Sequence, residues 1–311
     1  MKVLITGGAG FIGSHTAELL IKAGHEVRVL DDFSAGNSSN LATVKKEIDL
    51  VEADILDLET VSAACLHIEV VFHLAAISSV EQSIQEPLRT HAVNASGTLN
   101  VLEAARRASV RRVIYSSSAA VYGDHPELPK KESSPVQPRS PYAWHKLSSE
   151  FYGQTYAELS GLEFIALRYF NVYGPRQDPE SPYSGVLSIF VRSALDEKPL
   201  IIYGDGLQTR DFIHVSDVAR VNLLAAEAKP PQPPVINVGT GGETRIIDAA
   251  EMIQAAAGIS AGITYGPPRA GDIHRSCADT GLLEKTYGSQ SWVSIADGLQ
   301  HLVMSSRKNH P

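Results

Sequence analysis

The chain has 311 residues, 43% of them apolar and 20% charged, with 24 Gly and 17 Pro; this is a globular composition long enough for about two domains, which excludes disordered, fibrous and disulfide-stapled classes. Lys and Arg number 27 against 35 Asp and Glu, a net charge of −8, so no broad positive face is offered to nucleic acid or an anionic membrane, although a few local donors would suffice for a small phosphorylated ligand. Two cysteines, Cys65 and Cys277, are too few for a disulfide framework or a Cys-rich zinc site and suit a reducing cytoplasm, and no apolar run reaches the roughly 18 residues of a membrane span.

The opening MKVLITGGAGFIG has the lysine and apolar residues of a signal peptide, but glycines interrupt its apolar region and no small-residue cleavage site follows, so it reads as mature structure. Lys2 to Thr6 predicts a strand. Phe11 to Ala23 repeats apolar residues at helical spacing, with Gly24 as the stop. Strands follow at Glu26 to Leu30, ending at Asp31, then at Asp49 to Glu52 and Val70 to Leu74, with a helix near Leu58 to Cys65 between the last two. This alternation predicts a parallel sheet with helices on both faces. One long helix is predicted over Pro87 to Ala108, then a strand at Arg112 to Ser116 running into a serine cluster. The Pro-, Lys-, Glu- and Ser-rich segment Pro126 to Pro141 reads as a surface loop. A helix from about Tyr142 to Leu159 and a strand at Glu163 to Tyr169 complete the first rhythm.

From Gly174 the pattern changes to a loop, a helix at Val186 to Asp196 and a short strand at Leu200 to Tyr203, as an insertion would. It returns at IHVSDVARVNLLAAEA, a helix capped near Ser216 or Asp217, and at VINVG after the proline-rich stretch Lys229 to Pro234; the last 70 or so residues mix short helices and strands. The predicted architecture is therefore an α/β Rossmann doubly wound parallel sheet, residues 1–173 and 212–240, with a smaller discontinuous α/β unit, 174–211 and 241–311. No internal repeat is visible.

Chemistry concentrates in two places. TGGAGFIG, with Gly7, Gly8, Gly10 and Gly13, lies directly between a strand and a helix, where glycines permit tight turns and close backbone approach to a pyrophosphate and the helix N-terminus favours the anion. Glycines alone would also serve an ordinary turn. Asp31, 18 residues beyond Gly13, can accept hydrogen bonds from an adenosine ribose and would repel a 2′-phosphate; with Asp32 beside it and no arginine immediately following, NAD is predicted over NADP. Asp54 and Ile55 follow the third strand, either at the adenine or, for Asp54, as a helix cap. The second place is SSSAAVYG at Ser116 to Gly123 with YAWHK at Tyr142 to Lys146. Tyr142 and Lys146 are four apart on one helical face, where a lysine ammonium can depress a tyrosine pKa from about 10 toward a phenolate base. Away from a dinucleotide fold such a pair would be ordinary helix surface.

These motifs, together with HLAA at His73 to Ala76, LRYFNVYGPRQ at Leu167 to Gln177, TRDFIHVSDVA at Thr209 to Ala219 and RAGD at Arg269 to Asp272, resemble the extended short-chain dehydrogenase/reductases nearly end to end. Within them the chain is similar to the UDP-sugar 4-epimerases of the UDP-glucose and UDP-N-acetylglucosamine types. The resemblance implies Ser118 as partner of the substrate hydroxyl, Tyr142 as base and Lys146 on the nicotinamide ribose. It implies an NAD site drawn from Gly7, Gly10, Phe11, Ile12, Gly13, Asp31, Asp32, Asp54, Ile55, Leu74, Ala75, Ala76, Tyr142, Lys146 and Tyr169. Asn171, Arg210 and Arg269 are implied at the UDP phosphates, Asp272 at the uridine ribose, and Ser276 at the sugar 2-substituent, where a small residue admits an N-acetyl group. Away from these motifs Arg210 and Arg269 would read as surface ion pairs, and Ser276 as a polar loop residue. No metal is implied.

Two departures from the family pattern are His145 before the lysine, where small residues are common, and Ser78 where some members have lysine; neither removes a catalytic group. A homodimer is also implied, its interface formed by the helices near Pro87 to Ala108 and Tyr142 to Leu159, with Leu99, Val101, Leu102, Phe151, Tyr156 and Leu159 as its apolar residues; these could equally pack on the sheet. Dehydratases and decarboxylases of the same fold carry acids after the catalytic hydroxyl residue, whereas this chain has Ala119 and Ala120, which cannot transfer protons. The remaining rivals are a UDP-glucuronate 4-epimerase, which would need a carboxylate-binding group near the sugar that the sequence does not single out, and a non-catalytic NAD-binding sensor, against which the intact Ser118, Tyr142 and Lys146 argue.

Overall fold

The computed structural model describes residues 1–177, 185–268 and 273–308. Among them, seven parallel strands form the central sheet: β1 (Lys2–Thr6), β2 (Glu26–Asp31), β3 (Ile48–Glu52), β4 (Val70–His73), β5 (Arg112–Ser118), β6 (Glu163–Tyr169) and, later in the chain, β11 (Val235–Val238), in the order β11-β6-β5-β4-β1-β2-β3. Period-two alternation sorts their apolar residues between two cores. Val3, Ile5, Val29, Phe72, Ile114 and Leu167 pack under α1 (Phe11–Lys22) and α8 (Val215–Glu227). Leu4, Leu30, Val71, Val113, Tyr115 and Phe164 pack on the other face, under α2 (Leu58–Ala64), α5 (Thr98–Arg107) and α6 (Pro141–Ser160). All strands run the same way, so Thr6, Asp31, His73 and Ser118 end at one edge, where ligands of such sheets bind.

A third apolar cluster stands apart from both. It is built by α7 (Val186–Leu195), α9 (Ile246–Ala257) and α11 (Ile295–Lys308), with Phe190, Ile253, Leu299 and Leu302 at its centre. Three two-stranded sheets accompany it: β7 (Asn171–Tyr173) with β10 (Phe212–His214), β9 (Thr209–Arg210) with β12 (Thr244–Arg245), and β8 (Leu200–Tyr203) with β13 (Ile263–Gly266). The short helix α10 (Gly281–Tyr287) packs back on β11. Among the described residues no helix is long and apolar enough to cross a membrane.

The structure differs from the sequence expectation in two elements. The helical stretch expected over Pro87 to Ala108 is present as α4 (Pro87–His91), a π-helical stretch Ala92–Gly97 and then α5, and a separate short helix, α3 (Val80–Gln85), precedes it. The wide turn meets two contacts from elsewhere in the chain: the Asn94 side chain pairs with both backbone groups of Ile77, at 2.8 Å each, and a Cβ at Gly97 would lie 2.6 Å from the Ile55 side chain. Helix α8 is capped not by Ser216 or Asp217 but by His214, whose Nδ1 accepts from the Ser216 amide.

Candidate active site

The loop after β1 is shaped by what its glycines lack. Gly7 sits at φ +71°, and a Cβ there would lie 2.6 Å from the Ala75 nitrogen; at Gly13 it would lie 2.2 Å from the Gly7 carbonyl oxygen. Both separations are too short for any side chain, so the loop packs backbone against backbone on the Leu74–Ala76 segment. Gly10 caps α1 without a side chain, which leaves the amides of Phe11, Ile12 and Gly13 at the helix start as donors for an anion. Asp31 is fixed beside them, Oδ2 accepting from Ala9 N at 2.8 Å and Oδ1 from Phe33 N at 2.9 Å. Burial pushes its carboxyl above the ordinary range, against the pull of those two amides. This bare, donor-rich cradle with a carboxylate at its rim fits the diphosphate and ribose of NAD.

The remaining cofactor candidates divide. Leu74 N donates to Thr6 O at 3.0 Å, and His73 beneath it is bonded to Thr6 Oγ1 at 2.7 Å and Thr98 Oγ1 at 3.0 Å. Thr98 gives its own proton to Asn94 O, so His73 donates from Nε2 and accepts at Nδ1; this is a neutral ring, its pKa pushed down to about 3 by burial. Asp32 is exposed and takes both the amide and hydroxyl of Ser34. Asp54 accepts from Leu56 N at 2.9 Å and does not cap α2; Asp57 does. Ile55 is buried, its carbonyl held by Asn100 at 3.1 Å. Tyr169 points away from the site: its side chain lies in the core and its hydroxyl donates to Asn222 on α8 at 2.7 Å, which leaves its backbone at the sheet edge.

Ser118, Tyr142 and Lys146 come together. Ser118 ends β5 and caps a 3₁₀ turn, accepting from Ala120 N at 3.2 Å. Helix α6 begins at Pro141 behind the Ser140 cap, which places Tyr142 in its first turn; the Tyr142 amide donates to Ser83 Oγ at 3.1 Å. The Ser118 hydroxyl faces the Tyr142 phenol closely enough to lower its pKa. Lys146 is buried, its Nζ donating to Ser116 O at 2.7 Å, 4.9 Å from the Tyr115 ring centre and 5.8 Å from that of Tyr142. The expected depression of the tyrosine by the lysine is not what the packing produces. Burial raises the Tyr142 phenol, the Ser118 hydroxyl lowers it, and burial drives Lys146 down to about 7, opposed by Glu150. Desolvation is the largest cause of both shifts.

On the other side of the edge, Asn171 N donates to Asp211 O at 3.0 Å, and β7 runs beside β10 with Asn171 opposite Phe212, so Asn171 and Arg210 lie close along paired chains. Arg210 is half-buried and Nη1 donates to the Thr209 carbonyl at 2.8 Å. Ser276 lies in a segment pinned at both ends, by the Thr209–Arg275 and Lys130–Ala278 pairings. Arg269 and Asp272 lie outside the described residues. Sequence reading missed two supports. Asp211 is fully buried and accepts from Thr240 N, Thr240 Oγ1, Gly241 N and Ala278 N, at 2.7–3.0 Å, binding the Ser276 segment to β10; Ser83 holds the start of α6. No local pattern marks Ser83, whereas the RD pair in TRDF at least places Asp211 beside a candidate site residue.

The sequence profile of the NAD dependent epimerase/dehydratase family matches residues 3–239. The chain belongs to that family. It is 39% identical to the UDP-glucose 4-epimerase of Mycolicibacterium smegmatis over 97% of each chain. Its fold superposes on the UDP-N-acetylglucosamine 4-epimerase of Methanobrevibacter ruminantium, solved with UDP-N-acetylmuramic acid, with a TM-score of 0.95, 38% identity and coverage of 99% of this chain and 98% of that one. It likewise superposes on the UDP-glucose 4-epimerase of Thermus thermophilus, solved with NAD, with a TM-score of 0.90, 36% identity and 99% coverage of both.

Proposed function

We infer that the protein is an NAD-dependent UDP-hexose 4-epimerase, acting on UDP-glucose and UDP-galactose and on their N-acetylated counterparts. The observation that carries this is the meeting of Ser118, Tyr142 and Lys146 beside the glycine cradle while Ala119 and Ala120 follow the serine. That arrangement can move one proton at a sugar hydroxyl and has no acid there for elimination. NAD held by the glycine cradle and Asp31 would supply the hydride chemistry at C4 of the sugar. Tyr142 takes the 4-hydroxyl proton, with Ser118 bridging phenol and substrate, and gives it back after the 4-keto sugar has turned its other face. Lys146 holds the nicotinamide ribose and α6 to β5. Residues 1–173 and 212–240 serve the cofactor; 174–211 and 241–311 serve the UDP-sugar, with Arg210 and Arg269, joined by Asn171 of the first unit, at the phosphates and Asp272 at the uridine ribose. UDP then acts as the remote handle for a sugar that must rotate. The test is a panel of UDP-hexoses: interconversion of 4-epimers with no net use of NAD is expected, and its absence with every sugar, UDP-glucuronate included, would leave a sensor.

Substrate breadth rests on Ser276. A small side chain leaves room for an N-acetyl group, and a roomy pocket discriminates against a smaller sugar only weakly, by roughly 1–3 kcal/mol. Ser276→Tyr is expected to abolish turnover of the N-acetylated pair and spare the unsubstituted pair; chromatography of both product pairs decides, and equal loss on both would remove Ser276 from the gate.

Supporting a homodimer is an apolar face on α6 and its neighbours. Trp144, Phe151 and Leu159 recur at spacings of seven and eight and are 58%, 59% and 83% exposed, next to Ile84 and Leu88, 61% and 86% exposed. Such a contiguous patch favours burial against a second copy. Val101 and Leu102, assigned to this face from the sequence, instead lie fully buried in the core. Leu88→Glu with Phe151→Glu is expected to convert a dimer to a monomer in light scattering. Both cysteines are free and buried, which accords with a cytoplasmic location.

A further inference from the structure

Three consecutive serines at the end of β5 meet three successive turns of α6. Ser118 faces the Tyr142 phenol, the Ser116 carbonyl accepts from Lys146, and Ser117 Oγ donates to Glu150 Oε1. Tyr142, Lys146 and Glu150 are four residues apart and share one helical face. The first two have assigned roles; the third is fully buried at 1% exposure. Its carboxylate is gripped by Arg168 of β6 in a two-pronged pair, Nε to Oε1 at 2.9 Å and Nη2 to Oε2 at 2.7 Å, which fixes both its position and its plane. Arg168 is anchored in turn: Nη1 donates to the Tyr122 hydroxyl at 2.9 Å and the Glu132 carbonyl at 3.3 Å, and the guanidinium lies 4.8 Å from the Tyr122 ring centre. Tyr122 donates to Asn237 of β11 at 2.6 Å, and Asn237 to the Lys130 carbonyl at 2.8 Å. One chain of hydrogen bonds thus crosses β5, α6, β6, β11 and the loop that joins β5 to α6.

A buried ion pair is a poor device for stability alone, because desolvation offsets most of its attraction. We propose that Glu150 is a positioning residue of the epimerase site: locked by Arg168 and Ser117, it sets the register of α6 on β5 and places a negative charge one turn from Lys146, which keeps that lysine cationic. The proposal rests on the epimerase reading for its catalytic consequence. The groups facing Lys146 are Glu150, His145 and Tyr142 on its own helix, His73 on β4 and Tyr115 on β5, with Arg168 of β6 paired to Glu150. Burial lowers the pKa of both histidines, which favours their neutral rings, and Glu150 is the group that opposes the desolvation of Lys146. Removing the carboxylate would also leave the buried Arg168 guanidinium without its paired charge.

The first test reads Lys146 itself, by NMR titration of full-length, NAD-bound protein labelled at the lysine ε-carbons, with Lys146→Arg assigning the resonance. Glu150→Gln is expected to move the Lys146 midpoint to lower pH. The second reads kinetics: the alkaline limb of kcat moves down in pH, kcat at pH 8.5 falls about tenfold or more, and KM for the UDP-sugar changes less than twofold. Should Glu150→Gln not fold, the double variant Glu150→Gln with Arg168→Met, which leaves neither charge unpaired, gives the same two readings. An unmoved lysine midpoint, or an unmoved pH profile with kcat within twofold of wild type, overturns the proposal. If wild type epimerises no UDP-sugar, the functional reading fails, while the NMR titration still decides whether Glu150 governs Lys146.

Discussion

Tyr142→Phe is expected to fold, bind NAD and lose turnover by roughly 10²–10⁴-fold. The substitution removes one oxygen and almost no volume from a half-buried first-turn residue, so packing against Ser83 and the sheet survives. What goes is the proton acceptor that faces Ser118. Because burial holds the free phenol above its ordinary range, Ser118 cannot simply replace it, having a still weaker acidity and the Ala120 amide already on its oxygen. The measurement is single-turnover epimerisation alongside NAD content and circular dichroism. Turnover near that of wild type would end the role assigned to Tyr142.

Lys146→Met should act in opposite directions on activity and stability. Turnover falls by about 10²-fold or more, because the only atom lost in reach of the Tyr142 ring is the one that carries the charge. Stability of the cofactor-free protein rises at pH 7. Lys146 titrates near 7 in the folded chain against an ordinary value of 10.5, so between those limits the unfolded chain holds the proton more strongly. Its contribution is therefore favourable above 10.5 and is lost progressively as pH falls toward 7. That penalty is of the order of a few kcal/mol, larger than the roughly 1–2 kcal/mol of the hydrogen bond to Ser116 that the variant gives up. The expected readout is a Tm roughly 2–5 °C above wild type at pH 7, with the gap closing toward pH 10.5. A lower Tm at pH 7 would show that the lysine is not carried at a cost.

Much of this was legible in the sequence because its signals are local. The apolar run Val3-Leu4-Ile5, the glycines between β1 and α1, Asp31 at the end of β2 and the four-residue step from Tyr142 to Lys146 are each read within one or two elements, and the fold buries the first in the cores and brings the others to one sheet edge. The π-helical stretch at Ala92–Gly97 was not legible, since it is imposed by Ile77 and Ile55 from elsewhere in the chain. Nor was the inward turn of Val101 and Leu102, which depends on which helical face meets the sheet.

What the sequence by itself determined was therefore the inventory of chemistry and the register that brings it to one edge: the residue types at Gly7, Gly13, Asp31, Ser118, Tyr142 and Lys146, and the absence of acids at Ala119 and Ala120. Tertiary structure alone decided their electrostatics and their support. Lys146 sits near neutrality and Tyr142 above its ordinary range because both are desolvated against β5, and desolvation is a property of packing. Glu150 and Arg168 pair across 18 residues, Tyr142 and Ser83 across 59, and Asn237 and Lys130 across 107, since a hydrogen bond is fixed by distance in space and leaves no periodicity in the chain.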